Sequence, residues 1–116
     1  MSDNLTANDL RVGNFYYLND IEVKLDERLL FAMFNDPLAY GLQNYTPIPL
    51  TEGWLMKLGI EFTDTVTYKG YSLNAGNMII GFKDNIVRLM GQPLKHIKYV
   101  HQLQSLYYTL TQKELL

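Results

Sequence analysis

The sequence predicts a single α+β domain of 116 residues: an antiparallel β-meander or small barrel, a short Trp-containing helix, and a C-terminal amphipathic helix. Three observations predict it. Turn residues recur about every ten positions between short apolar runs, as antiparallel strands require. The segment PLTEGWLMKLGI carries start and stop signals for a helix of two turns. At 100° per residue, Tyr99, Val100, Leu103, Leu106, Tyr107 and Leu110 fall within an arc of roughly 120°, the width of a core-facing stripe.

Residues 1–9 are polar and expected to be loose. RVGNFYYL (11–18) and IEVKL (21–25) flank Asn19 and Asp20, and the second run alternates, with Ile21, Val23 and Leu25 opposite Glu22 and Lys24. This is a hairpin with one wet face. LLFAMF (29–34) reads as a more buried third strand, although so short a run fits one or two helical turns equally well. An irregular stretch, 36–49, holds Gly41, Pro47 and Pro49.

In the helix expected over 51–58, Thr51 supplies the cap and Glu52 a negative charge where the helix dipole favours one. Leu50 and Leu55 have the spacing of a hydrophobic staple. Lys57 lies in the last turn, Gly59 suits the left-handed terminating conformation, and Ile60 can fold back on Leu55. So short a helix does not stand alone. EFTDTVTY (61–68), YSL (71–73), NMIIGF (77–82) and IVRLM (86–90) follow as strands of a meander over 61–90. Residues 94–98 could be a last strand or a first helical turn after Pro93, and the final helix is expected over 97–112.

With 47% hydrophobic and 19% charged residues, the chain is of the folded class. It has no cysteine, which removes disulfides, zinc–thiolate sites and a thiol nucleophile. No apolar run reaches the eighteen or so residues of a membrane span, and the N-terminal MSDNLTANDLRV lacks a basic segment followed by an apolar one. A cytoplasmic location is the default expectation. Charge is uneven: residues 1–85 hold six basic and eleven acidic side chains (−5), while Arg88, Lys95, Lys98 and Lys113 against Glu114 give the remainder +3. An anionic partner would favour the tail, but three net charges make no nucleic-acid stripe.

LRVGN at the N-terminus, PIPLTEGWLMKLGI, and IKYVHQLQSLYYTLTQKEL some forty residues later resemble an uncharacterised family of small proteins from Bacteroidetes genomes, their phages and prophages. The likeness is specific at 47–59 and 97–115 and weaker at 10–14. Such proteins often have Gly where Gln112 stands, so this helix end is expected to be less sharp or to run on. The resemblance implies a phage or mobile-element context and carries no activity with it.

Two clusters are candidate sites. His101, Gln104, Ser105, Tyr108 and Gln112 line a strip of the last helix away from its core stripe, without Asp, Glu, Lys or Arg among them. One reading has the strip covered within the chain, by the Trp54 helix and the 36–49 loop, with Gln and His satisfying loop backbone groups. A second makes it a protein interface, where charge is depleted and Tyr enriched. A third, a small-ligand or metal site, suits two histidines five residues apart poorly. Lys95, His96 and Lys98 form a possible anion-binding group if the helix begins at Pro93, because cations at its positive end call for an anion. Acidic side chains such as Glu61 or Asp64 could compensate instead.

No nucleophile motif accompanies His101, and the eight glycines are scattered at turns rather than gathered into a phosphate-cradling loop. The expected function is therefore a non-catalytic interaction or binding protein of phage or prophage origin, with a protein partner or self-association. Its alternative is a sponge-type sequesterer of an anionic host metabolite or signalling nucleotide. No enzyme activity, cofactor, metal, nucleic acid or membrane is expected.

Overall fold

The computed structural model describes residues 5–6, 9–64, 69–83 and 86–115, apart from the side chains of Glu61, Thr63, Asp64 and Lys69. The fold is α+β, with two antiparallel sheets and four helices, and neither sheet closes into a barrel. By its contacts the chain forms two compact units, Met1–Pro49 with Tyr99–Ser105, and Leu50–Lys98 with Leu106–Leu116.

The first unit is built on the predicted hairpin. Strands β1 (Phe15–Leu18) and β2 (Ile21–Lys24) pair with Phe15 opposite Lys24 and Leu18 opposite Ile21. Asn19 and Asp20 both take positive φ (50° and 67°), the pair of left-handed residues that a two-residue hairpin turn demands. Strand β3 (Tyr45–Thr46) adds to the other side of β1, giving the order β2-β1-β3. Tyr16, Leu18, Leu25 and Tyr45 form the core of this unit.

LLFAMF is a helix and not the buried strand first read there. Helix α1 spans Glu27–Asn35, with the Asp26 carboxylate accepting from the Leu29 N–H at 2.9 Å as its N-cap. Helical spacing turns Leu29, Leu30 and Met33 onto the Tyr16–Leu25 core and leaves Phe31 and Phe34 outside. Asp36 ends α1 and then caps the single turn of α2 (Pro37–Tyr40). The rest of the irregular stretch is a 3₁₀ turn, Leu42–Asn44, leading into β3.

In the second unit, α3 (Glu52–Lys57) has the expected termini. Thr51 accepts from the Trp54 N–H at 3.3 Å. At the other end Gly59 has φ +84°, its N–H donates to the Met56 carbonyl and that of Ile60 to the Leu55 carbonyl. This doubly bonded terminus is the Schellman motif. Trp54, Leu55, Leu58 and Ile60 are buried, and Lys57 Nζ lies 4.3 Å from the centre of the Trp54 ring.

The meander follows as β4 (Glu61–Asp64), β5 (Lys69–Ala75), β6 (Met78–Lys83), β7 (Ile86–Leu89) and β8 (Gln92–Pro93), paired in chain order. The expected strand residues 65–68 lie outside the described residues. Tyr71, Ala75, Ile80, Phe82 and Val87 alternate onto the buried face, with Tyr71 opposite Phe82 and Phe82 opposite Val87. Met90 and Gly91, both at positive φ, turn the chain between β7 and β8.

Residues 94–98 are neither strand nor helix: they form a turn in which Ile97 N–H donates to the Leu94 carbonyl, with Ile97 buried. Helix α4 then runs over Val100–Thr111. Its start has no Ser, Thr or Asp cap; the Gln102 side chain instead reaches back to accept from the Tyr99 N–H at 3.0 Å, the second half of a capping box. Of the predicted stripe, Val100 and Leu103 are buried, whereas Tyr99, Leu106, Tyr107 and Leu110 are half-buried.

The helix ends sharply although Gly is missing, because Gln112 itself adopts φ +60°. A left-handed conformation costs a side-chain-bearing residue about 1–2 kcal/mol, partly offset in Gly by its greater unfolded entropy. Gln112→Gly should therefore raise stability by about 1 kcal/mol, read as a melting temperature higher by about 4 °C in calorimetry.

Candidate functional site

The uncharged strip of α4 is occupied from within the first unit. Asn14, fully buried just before β1, donates from Nδ2 to the His101 carbonyl (3.3 Å) and to Ser105 Oγ (2.9 Å). Its Oδ1 accepts from the Arg11 guanidinium at 2.7 Å. One turn along, Gln104 reaches the same segment: Oε1 accepts from the Phe15 N–H at 2.8 Å, and Nε2 donates to the Gly13 carbonyl at 3.3 Å. Gln104 thus satisfies two backbone groups at the point where the chain enters β1, which a purely apolar helix face would leave without these partners, and Asn14 ties the same segment to α4.

His101 lies in an aromatic slot. Its ring is tilted against Tyr16 with centroids 5.2 Å apart and stacked on Tyr99 at 6.0 Å. Tyr16 is itself anchored, its hydroxyl donating to the Asp9 carbonyl at 2.6 Å and accepting from the Arg11 N–H. Among the described residues His101 Nδ1 is buried without a hydrogen-bond partner. Burial pushes the imidazole pKa down, against a smaller opposing pull from Asp9. The neutral ring is the form this slot accommodates.

The strip is therefore not a continuous exposed surface. His101 and Gln104 are buried at 4% and 2% exposure, Ser105 and Tyr108 are half-buried, and only Gln112 is exposed. Covering from within the same chain was one of the readings; the Arg11–Phe15 segment provides it at His101, Gln104 and Ser105.

Lys95, His96 and Lys98 are all exposed, but they occupy the turn before α4 and not its first turn, since the helix starts at Val100. The helix-end argument for an anion at Lys95 and His96 falls with that boundary. The side chains of Glu61 and Asp64, suggested as their compensating acids, lie outside the described residues.

What sequence reasoning missed is on α1 and α2. Phe31, Phe34 and Leu38 are 71%, 85% and 88% exposed. Phe31 and Phe34 share one face of α1 at i, i+3 spacing, and Leu38 follows on α2 beyond the non-helical Asp36, a signal concealed once LLFAMF is read as a strand. The hairpin turn adjoins this region: Asn19 Nδ2 donates to the Ala39 carbonyl at 3.2 Å, and Ile21 beside it is 67% exposed.

No family model, curated protein or solved structure matches the chain. Among the described residues no helix is long and apolar enough to cross a membrane, and no three His, Asp or Glu side chains gather into a metal-holding group.

Two outcomes test the clamp. Gln104→Leu leaves the Phe15 N–H and the Gly13 carbonyl without these partners and should cost about 2–4 kcal/mol in urea unfolding. Because the folded-state pKa of His101 is depressed, the unfolded chain binds more protons below its own pKa of about 6.5. Stability from this residue should be complete above that pH and decline as pH falls through it towards the folded value. His101→Phe should flatten that part of a melting-temperature profile.

Proposed function

We propose that this chain is a non-catalytic interaction protein that binds a protein partner through the apolar face of α1 and α2. The supporting observation is the exposure of Phe31 and Phe34 on one face of α1, with Leu38 exposed on the following helix α2. Scattered exposed apolar residues are ordinary, but aligned large ones mark binding surfaces. Aromatic anchors of this kind account for a disproportionate share of interface energies.

The partner's chemistry follows from the net charge of the first unit, in which Lys24 and Arg28 are exposed beside a larger number of acids. Met1–Pro49 and Tyr99–Ser105 hold Arg11, Lys24 and Arg28 against Asp3, Asp9, Asp20, Glu22, Asp26, Glu27 and Asp36, a balance of −4. Asp20, Glu22, Glu27 and Asp36 are exposed. An apolar segment flanked by Lys or Arg is complementary to such a rim. A phage or prophage origin rests on the likeness of residues 47–59 and 97–115 described above.

A labelled amphipathic helical peptide with a Lys-rich polar face provides the test, alongside the same peptide with Glu in place of Lys. The wild-type chain should bind the basic peptide in preference to the acidic one. Phe31→Ser with Phe34→Ser should weaken that binding at least tenfold, about 1.4 kcal/mol. Exposed positions tolerate substitution, so melting temperature should stay nearly constant. Equal binding of both peptides, or undiminished binding by the double variant, would refute the proposal.

A further inference from the structure

We infer that the outer face of the five-stranded sheet binds a small amphiphilic monoanion, an apolar body ending in a carboxylate, seated over Gly81 with Arg88 as its counter-ion. This site is in the second unit and is independent of the α1–α2 stripe.

With Tyr71, Phe82 and Val87 on the buried face, the intervening row Ser72–Gly81–Arg88 lies on the opposite face, directly paired across β5, β6 and β7. A solvated face should be lined by polar side chains. Here it carries Ile79 at 49% and Met90 at 58% exposure, with a glycine at the centre of the middle strand. Glycine inside a strand weakens it and often marks a place where a ligand approaches the backbone.

The result is a cleft of about 480 Å3 lined by Ser72, Ile79, Gly81, Arg88, Met90 and Gly91. That volume lies in the range of small-molecule sites, roughly 300–1,000 Å3. Ile79 and Met90 provide apolar walls, and the thioether adapts to an irregular outline. Arg88 is half-buried; its Nη1 donates to the Gly91 carbonyl at 3.5 Å, the limit of a hydrogen bond. Among the described residues no carboxylate is paired with it. A guanidinium held beside apolar walls matches a carboxylate in a two-bonded fork, and the walls match the body to which that carboxylate is attached. The anion binding first sought at Lys95, His96 and Lys98 is better served here, where a cation and a concave surface coincide.

The test uses the full chain and sodium decanoate, with decyltrimethylammonium as a probe of similar tail and opposite charge. In a two-dimensional amide NMR titration, decanoate should shift the resonances of Ser72, Ile79, Gly81 and Arg88, while the cation leaves them in place. Arg88→Gln retains much of the side chain without its charge and should weaken decanoate binding at least tenfold. Gly81→Val fills the hollow with a residue strands favour and should abolish the shifts with no loss of melting temperature. Any of four results would overturn the inference: no shifts at low-millimolar decanoate, equal binding of the cation, undiminished binding by Arg88→Gln, or shifts confined to residues 31–38.

Discussion

The first unit depends on a pair of buried carboxamides. Asn14 and Gln104 are almost wholly removed from water, and each bonds with both its donor and its acceptor. A buried amide side chain destabilises a fold unless such partners are present. Meeting that requirement fixes several things together: the angle at which the chain enters β1, the rotation of α4 about its axis, and the placement of His101 between Tyr16 and Tyr99. Shifting α4 by one residue would carry Gln104 away from Gly13 and Phe15 and leave four polar groups without these bonds. Apolar packing of Val100 and Leu103 alone does not discriminate so strongly, since one aliphatic contact substitutes readily for another.

The same unit brings LRVGN, PIPLT and YVHQLQ into contact. Gly13 and Asn14 from LRVGN meet the helix of the YVHQLQ segment through side-chain bonds, and Arg11 bonds to Asn14. Ile48, within PIPLT, accepts from the Val100 N–H, and Pro49 forms a bridge with Tyr99. Those segments therefore have a structural task, and both proposed binding surfaces lie on other residues. Phe31, Phe34 and Leu38 are on α1 and α2, and Arg88 and Gly81 on the meander.

Legibility in the sequence followed the range of the interactions. Where the determinants are neighbours, the sequence is explicit: Thr51 and Gly59 delimit α3, and Asn19 with Asp20 turns the hairpin. The phase of α4 was readable only in part: Val100 and Leu103 are buried as expected, but so are His101 and Gln104 from the other side. LLFAMF was misread because six residues cannot distinguish periods, though Asp26 and Glu27 immediately before it form a capping signal. The start of α4 was obscure because a Gln three residues inside the helix makes the capping bond. Asn14 had no local signal at all: its partners on α4 are 87 and 91 residues away. The sequence could show that one side of the helix lacks charge, and nothing nearby could show that Arg11–Phe15 covers it.

That separation has a consequence for biosynthesis. The β1–β2 hairpin leaves the ribosome early, but the side chains that complete its surroundings are about ninety residues behind. At a synthesis rate of roughly 5–20 residues per second, Asn14, Tyr16 and the Gly13 carbonyl wait several seconds for α4. Contacts of such long range also slow folding itself, through the entropy of closing so large a loop. During that interval the nascent first unit exposes its unfinished core together with Phe31 and Phe34, the kind of apolar surface on which intermediates aggregate.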